Sequence, residues 1–291
     1  LAPTVRLLAF PIAAFFATAC GGAGAVNGES YVGDGASTVS EQASNGLDNG
    51  ADATVTLEAD AYRGPTVGAA TGFAVLAHSA ITAVNSSTVT GNLGVSGATM
   101  ESITGFDELP TAQYGTDSSS PYSLRTILTQ REVEALVDDI DVRACDANYE
   151  DIAQAGTDEI TLHPGVTCMN GSDAELLLHG RVTLDAGDDP NAFFVIRSNF
   201  TLTALDSTKI VLANGAQACS VFWRVNQEVS IGKHVEFLGT VIAGTGITMQ
   251  SGSTLVGRAL AQTAAVTLDG NAITLPVYDA IGSALTCSHV Q

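Results

Sequence analysis

The chain has 291 residues, enough for one large domain with appendages, and its 31 acidic against 11 basic residues give a net charge of −20. Only two of the bases are lysines, so no basic surface is available for nucleic acid or an anionic membrane, and self-repulsion favours a soluble monomer. Thirty glycines and only 14% charged residues point to many short strands with tight turns rather than to a helical protein.

Residues 1–20 read as an export signal. Arg6 supplies the positive charge, an apolar run over 7–17 is broken only by Pro11, and Ala17-Thr-Ala19 is an A-x-A cleavage pattern. The run is too short for a permanent membrane helix. Cys20 follows the cleavage pattern directly, where the lipidated cysteine of a bacterial lipoprotein stands, although Ala17 holds the place usual for Leu. The expected location is secreted or cell-surface, with membrane contact only through a lipid on Cys20. Residues 21–65 are rich in Gly, Ser, Asn, Asp and Ala without a sustained period, and read as a flexible acidic linker.

A solenoid domain is expected over 66–277, followed by a C-terminal tail over 278–291. Its first strands fall in Phe73–Thr82 and Val89–Val95. Residues 124–144 form the one convincing helix, with Val133, Leu136, Val137, Ile140 and Ala144 on one face and acids such as Glu132, Glu134, Asp138 and Asp139 on the other. Short strands then resume and continue to Ala272-Ile-Thr-Leu275, closed by Pro276.

Near the end the chain repeats itself. Gly239-Thr-Val-Ile-Ala-Gly-Thr-Gly-Ile-Thr248 is followed by Gly257-Arg-Ala-Leu-Ala-Gln-Thr-Ala-Ala-Val-Thr267, which places Thr248 and Thr267 19 residues apart, with Ser230 18 residues before Thr248. A period near 20 residues, with strands and no helix inside it, predicts a β-solenoid with one three-stranded coil per repeat and a triangular cross-section. Stacked strands lie about 4.8 Å apart, so outward hydroxyls at matching positions form a flat, regularly spaced ladder. The helix is expected to pack along the solenoid and cover an apolar side.

Apart from Cys20, the cysteines are Cys145, Cys168, Cys219 and Cys287. Their spacing resembles no zinc site, so disulfides are the better account. Three pairings are open; chain order favours Cys145 with Cys168 and Cys219 with Cys287. The acidic turn Asp185, Asp188, Asp189 lacks the spacing of calcium-binding solenoid repeats and reads as a solvated turn. His78 and His179 are expected at coil corners, with no ligand pair among the histidines.

Several ordered motifs carry a family likeness. They include Gly72-Phe-Ala-Val-Leu-Ala-His-Ser79, Thr90-Gly-Asn-Leu-Gly-Val-Ser96, Ile103-Thr-Gly-Phe106, Leu162-His-Pro-Gly165, Asp189-Pro-Asn-Ala192, Asn214-Gly-Ala-Gln-Ala-Cys-Ser-Val-Phe-Trp223 and Gly257-Arg-Ala-Leu-Ala-Gln-Thr263. Together they span nearly the whole expected domain, which resembles the DUF3494 (type 1) ice-binding protein family. The resemblance implies a discontinuous right-handed β-helix with one long helix beside it. It also implies adsorption to ice through one flat face, with no catalysis, cofactor, metal or small-molecule substrate.

A T-A/G-x-T/N motif on that face in several family members is matched by Thr245-Gly-Ile-Thr248, and by Ser79-Ala-Ile-Thr82 with Ser in first place. Thr263-Ala-Ala-Val-Thr267 carries one extra residue. The expected ice-binding residues are thus Thr245, Thr248, Thr263 and Thr267, extended by Ser79, Thr82, Thr183, Thr201, Thr203 and Ser230. Arg197, Arg224 and Glu228 would interrupt an ordered water layer where they point outward. Ice presents a periodic sheet of water, and threonine offers it a hydroxyl and a methyl group on a side chain restricted at χ1. Two other readings remain at this point, an extracellular adhesin or matrix-binding solenoid and a β-helix polysaccharide-active enzyme.

Overall fold

The computed structural model describes residues 64–107, 112–116, 123–149, 159–169, 175–189, 191–276, 278–281 and 284–287. The expected export segment with Cys20, and the linker up to residue 63, lie outside these residues.

Side-chain alternation sets the local structure. In the strand Thr254–Ala261, Leu255 is buried between the accessible Thr254 and Val256, as on a half-solvated sheet, whereas 257–261 are all buried. The switch comes at Gly257, where the strand passes from one side of the coil to the next. Successive coils are so close there that a Cβ on Gly257 would stand 1.8 Å from the carbonyl oxygen of Gly239. The strand Glu236–Ala243 has the same build one coil earlier, paired in register from Glu236 with Thr254 to Ala243 with Ala261.

Parallel pairing stacks such coils into a solenoid with three sides. One side, the covered face, runs Ala147–Tyr149, Gly165–Met169, Phe194–Ser198, Val221–Val225, the second halves of Glu236–Ala243 and Thr254–Ala261, then Phe73–Ala77, Asn92–Val95 and Ala112–Tyr114. The second runs Glu175–Leu178, Thr201–Ala204, Val229–Ile231, Ile247–Met249, Val266–Asp269, Ile81–Val84 and Ile103–Thr104. The third runs Glu159–Leu162, Arg181–Asp185, Lys209–Ala213, the first halves of the two long strands, Ala272–Thr274 and Thr88–Thr90. Inward residues from all three sides meet in one core that includes Leu178, Leu202, Trp223, Val229, Phe237, Ile247, Val266, Ile81 and Leu255. Residues 278–281 and 284–287 form an antiparallel hairpin in the tail.

Spatial order departs from chain order. The first strand, Phe73–Ala77, lies between Thr254–Ala261 and Asn92–Val95. The last strand, Ala272–Thr274, supplies the third side of that same coil and pairs with Thr88–Thr90. After Ala112–Tyr114 the chain must reach Ala147–Tyr149 at the opposite end of the stack, a distance of about 38 Å at about 4.8 Å per strand. The helix α1, Ser123–Val142, covers most of that distance, since 20 residues rise about 30 Å.

Along its course α1 presses Val133, Leu136, Val137 and Ile140 onto Leu76, Leu260, Ile242, Phe222, Val195 and Val166 of the covered face. Each such side chain, fully buried, contributes about 1.5–3 kcal/mol. Ala144, expected on this face, is exposed beyond the helix end. The helix stops earlier because its last carbonyls are taken from outside: Arg197 Nη1 donates to the carbonyl oxygens of Ile140, Asp141 and Arg143 at 3.1, 2.8 and 3.2 Å. Arg224 Nη2 reaches Asp141 Oδ2 at 3.3 Å. Unpaired C-terminal carbonyls and the negative end of the helix dipole both favour a cation there. Arg197 and Arg224 therefore occupy the covered face and do not interrupt a water layer on an open one. A disulfide joins Cys145, just past the helix, to Cys168 beneath it. Cys219 is also disulfide-bonded.

Candidate functional site

On the second side of the solenoid the outward residues fall into register, one per coil. Leu177 lies level with Thr203, Thr203 with Ser230, Ser230 with Thr248, Thr248 with Thr267, Thr267 with Thr82, and Thr82 with Thr104. Six consecutive hydroxyl side chains thus stand on adjacent strands, about 4.8 Å from one to the next. Each is held between inward neighbours: Val229 and Ile231 flank Ser230, Ile247 and Met249 flank Thr248, and Val266 and Leu268 flank Thr267, all of them buried. That packing fixes the backbone, and β-branching restricts χ1, so the hydroxyls and methyls are presented with little freedom left to lose.

The row two residues earlier points the same way. There Thr248, Thr267, Thr82 and Thr104 are preceded by Gly246, Ala265, Ala80 and Ser102, which add no bulk and no charge. At the other end the corresponding places hold the exposed Glu228, before Ser230, and Glu175, level with Thr201. The row two residues later includes Gln250, Asp269 and Val84, with Asp269 accepting from Asn85 Nδ2 at 2.5 Å. In the ladder row and the row before it, the face is therefore free of charge over the four coils from Thr248 to Thr104.

The structure brings Thr248, Thr267, Thr82, Ser230 and Thr203 into the ladder, with Thr201 in the row beside it. Thr245, Ser79 and Thr263 sit at the corner leading into the face. The extra residue of the second repeat is absorbed there. Ala264 N–H donates to the Thr245 carbonyl and Ser79 N–H to that of Ala264, while Thr263 Oγ1 turns back to the Gly244 carbonyl at 2.7 Å. Thr263 therefore stands beside the ladder rather than in it. Thr183 is on another side altogether, between Thr161 and Val211 on the third face. Thr104 is the ladder residue that the spacing argument missed, although the alternation in Ile103-Thr104 carries its inward–outward signal.

The acidic turn has a structural role. Asp185 Oδ1 accepts from Gly187 N–H at 2.9 Å and Asn214 Nδ2 at 2.7 Å; these bonds, the backbone one first, hold its carboxyl below the ordinary carboxylate range. Asp189 Oδ1 caps the Asn191 N–H at 2.8 Å. His78 and His179 occupy coil corners, as their positions suggested. Among the described residues, no group of three or more His, Cys, Asp or Glu side chains is placed to hold a metal ion.

Comparison with known proteins adds a family. An ice-binding protein of Nostoc sp. (strain HG1) is 35% identical over 222 residues, covering 76% of this chain and 78% of the relative. An ice-binding protein of Colwellia sp is 34% identical over 217 residues, covering 72% of this chain and 83% of its own. A crystal structure of an ice binding protein from an Antarctic biological consortium superposes with a TM-score of 0.65 at 34% identity, covering 74% of this chain and 92% of that one. An ice-binding protein from Arctic yeast gives 0.66 at 26% identity, with 76% and 98% covered. The sequence profile of the ice-binding-like family matches residues 75–274. That match runs from the first strand of the solenoid to the strand that completes the same coil, and the chain belongs to the ice-binding-like family.

Proposed function

We propose that this protein adsorbs to ice through the threonine–serine ladder and thereby produces thermal hysteresis and inhibits ice recrystallisation. The observation that carries the reading is the register of six hydroxyl residues from Thr203 to Thr104, one per coil. Ice offers neither a cavity nor a charge to bind, only a repeat, and a rigid repeating surface is what this side supplies. Each hydroxyl contact is weak, so attachment requires many of them at once on a surface ordered beforehand. Adsorbed molecules pin the crystal front, which must bulge between them and freezes at a lower temperature.

The protein acts as a monomer, without a reaction, and outside the cytoplasm, either secreted or held at the cell surface by a lipid on Cys20. The Cys145–Cys168 disulfide supports an oxidising compartment, as do the leader-like residues 1–20. The test is nanolitre osmometry and a recrystallisation assay on the purified chain. A gap between melting and freezing points, together with arrested grain growth, is expected. Grain growth equal to that in an albumin control would overturn the proposal.

A further inference from the structure

Charge is segregated along the third face of the solenoid. One end carries Glu159, Arg181, Lys209 and Glu236 on neighbouring strands, joined by Glu159–Arg181 and Lys209–Glu236 ion pairs of 3.5 and 2.5 Å. The other end carries none in its two outward rows. Thr254, Ala272 and Thr88 are level with one another in the first row, and Val256, Thr274 and Thr90 in the second. The rows lie about 6.6 Å apart along the strands, with about 4.8 Å between strands. Thr88, Thr90 and Thr254 are exposed, while the intervening Leu255 and Ile273 are buried and hold the sheet from beneath. Four threonines thus stand in a two-dimensional array with two small or branched apolar partners. An ordinary solvated face in so acidic a chain would scatter carboxylates across these positions. The carboxylates at its margins are engaged: Glu236, beside Thr254, pairs with Lys209, Asp269, beyond one corner, accepts from Asn85, and Asp107 accepts from Ser86, two residues before Thr88.

We infer that this patch is a second ice-adsorbing surface, facing a different direction from the ladder and built at the same end of the stack. The inference rests on the ice-binding reading above, since it assigns a further lattice contact to the same ligand. A charged side chain keeps its own hydration shell, which conflicts with an ice-like water layer; hydroxyls and methyls at two fixed spacings can sit within one. Two such surfaces on adjoining sides would let one molecule take hold of more than one set of ice planes.

The experiment is staining of a single-crystal ice hemisphere with fluorescently labelled full chain. Wild type is compared with Thr90→Tyr/Thr274→Tyr, with Thr248→Tyr/Thr267→Tyr, and with all four changes, each checked for wild-type melting temperature. If the tyrosines perturb folding, Thr90→Lys/Thr274→Lys replaces the third-face pair. Wild type should stain more than one set of planes, and the third-face pair should lose one set while keeping the rest. The ladder pair should keep only the set lost by the third-face pair, and the fourfold variant should stain none. Loss of all staining in the ladder pair alone overturns the second surface and leaves the proposed function intact. An unchanged pattern in the third-face pair overturns it equally. Absence of staining by wild type overturns both.

Discussion

Thr82 and Thr267 stand side by side on hydrogen-bonded parallel strands, although one lies in the first coil of the chain and the other in the last complete one. The flat part of the ladder is therefore assembled across the junction between the two ends of the domain, with Thr248 and Thr267 from one end and Thr82 and Thr104 from the other. Damage on either side of the junction should reduce the same activity.

Replacing Thr248 and Thr267 together by tyrosine should abolish most thermal hysteresis at an unchanged melting temperature. Both side chains point outward, so each change should alter stability by no more than about 0.5 kcal/mol. Thr82→Tyr should act in the same direction. Osmometry and thermal denaturation on the same samples check both parts, and hysteresis retained at the wild-type level after the double change would remove the ladder from the adsorbing surface.

Glu228 is the exposed charge in the row that otherwise continues as Gly246, Ala265 and Ala80. Substituting alanine would extend the uncharged surface by one coil towards Thr203. Hysteresis should rise in Glu228→Ala while the melting temperature stays within a surface substitution's range, and equal or lower hysteresis would show that the charge is not limiting.

Arg197 satisfies three carbonyl oxygens at the end of α1. Replacing it with methionine keeps most of the stem and removes these charge-assisted bonds, each worth about 1.5–3 kcal/mol at most. A lowered melting temperature is expected, together with faster amide exchange in the last turn of the helix. Hysteresis measured just below the melting point of ice should persist, because the covered face lies away from the ladder.

Gly257→Ala should be severely destabilising. Its Cβ would meet the backbone carbonyl of Gly239, which cannot rotate away as a side chain could. A cost of at least about 1–3 kcal/mol follows from overpacking of this kind. Chemical denaturation gives the value; a midpoint equal to wild type would mean that the coils at this bend can separate without loss.

Asp185 introduces a pH dependence with a definite sign. Its carboxyl, with an ordinary value of 3.8, is lowered by the Gly187 and Asn214 bonds, so its contribution is present above that value and is lost as pH falls through the depressed one. Asp185→Asn should flatten the acid limb of stability below about pH 4 and leave stability near neutrality to the remaining bonds of the turn. Denaturation curves collected across that limb check it.

Much of this architecture could be read from the residues. The interval between Thr248 and Thr267, and the flanking apolar pairs, placed two rungs of the ladder without a structure. Thr183 shows where that reading ends. Its strand Arg181–Asp185 has the same alternation as a ladder strand, and alternation tells inside from outside without telling which of three sides is concerned. Thr104 escaped because its strand is only two residues long and stands 22 residues after Thr82, off the shorter interval that links Thr248 and Thr267. The sequence leaves open whether Arg197 and Arg224 point into a water-facing surface, since nothing nearby in it reveals that α1 ends above them. Periodicity alone extends the helix to Ala144, because it cannot anticipate that outside donors end it sooner.

The coil completed by Ala272–Thr274 passes to Phe73–Ala77 in the same order in which every other coil passes from its third side to its covered side. Topologically, the domain is a circular permutation of an uninterrupted solenoid, opened between its last strand and its first. A gene that joined the residues after Pro276 to those before Phe73, and began at Ala147, would wind its coils in the order in which they are stacked. In the natural order, nascent chain emerging from 73 onward lacks its partner until the last repeats have been made. The complete ladder is then withheld until synthesis of the domain is nearly finished.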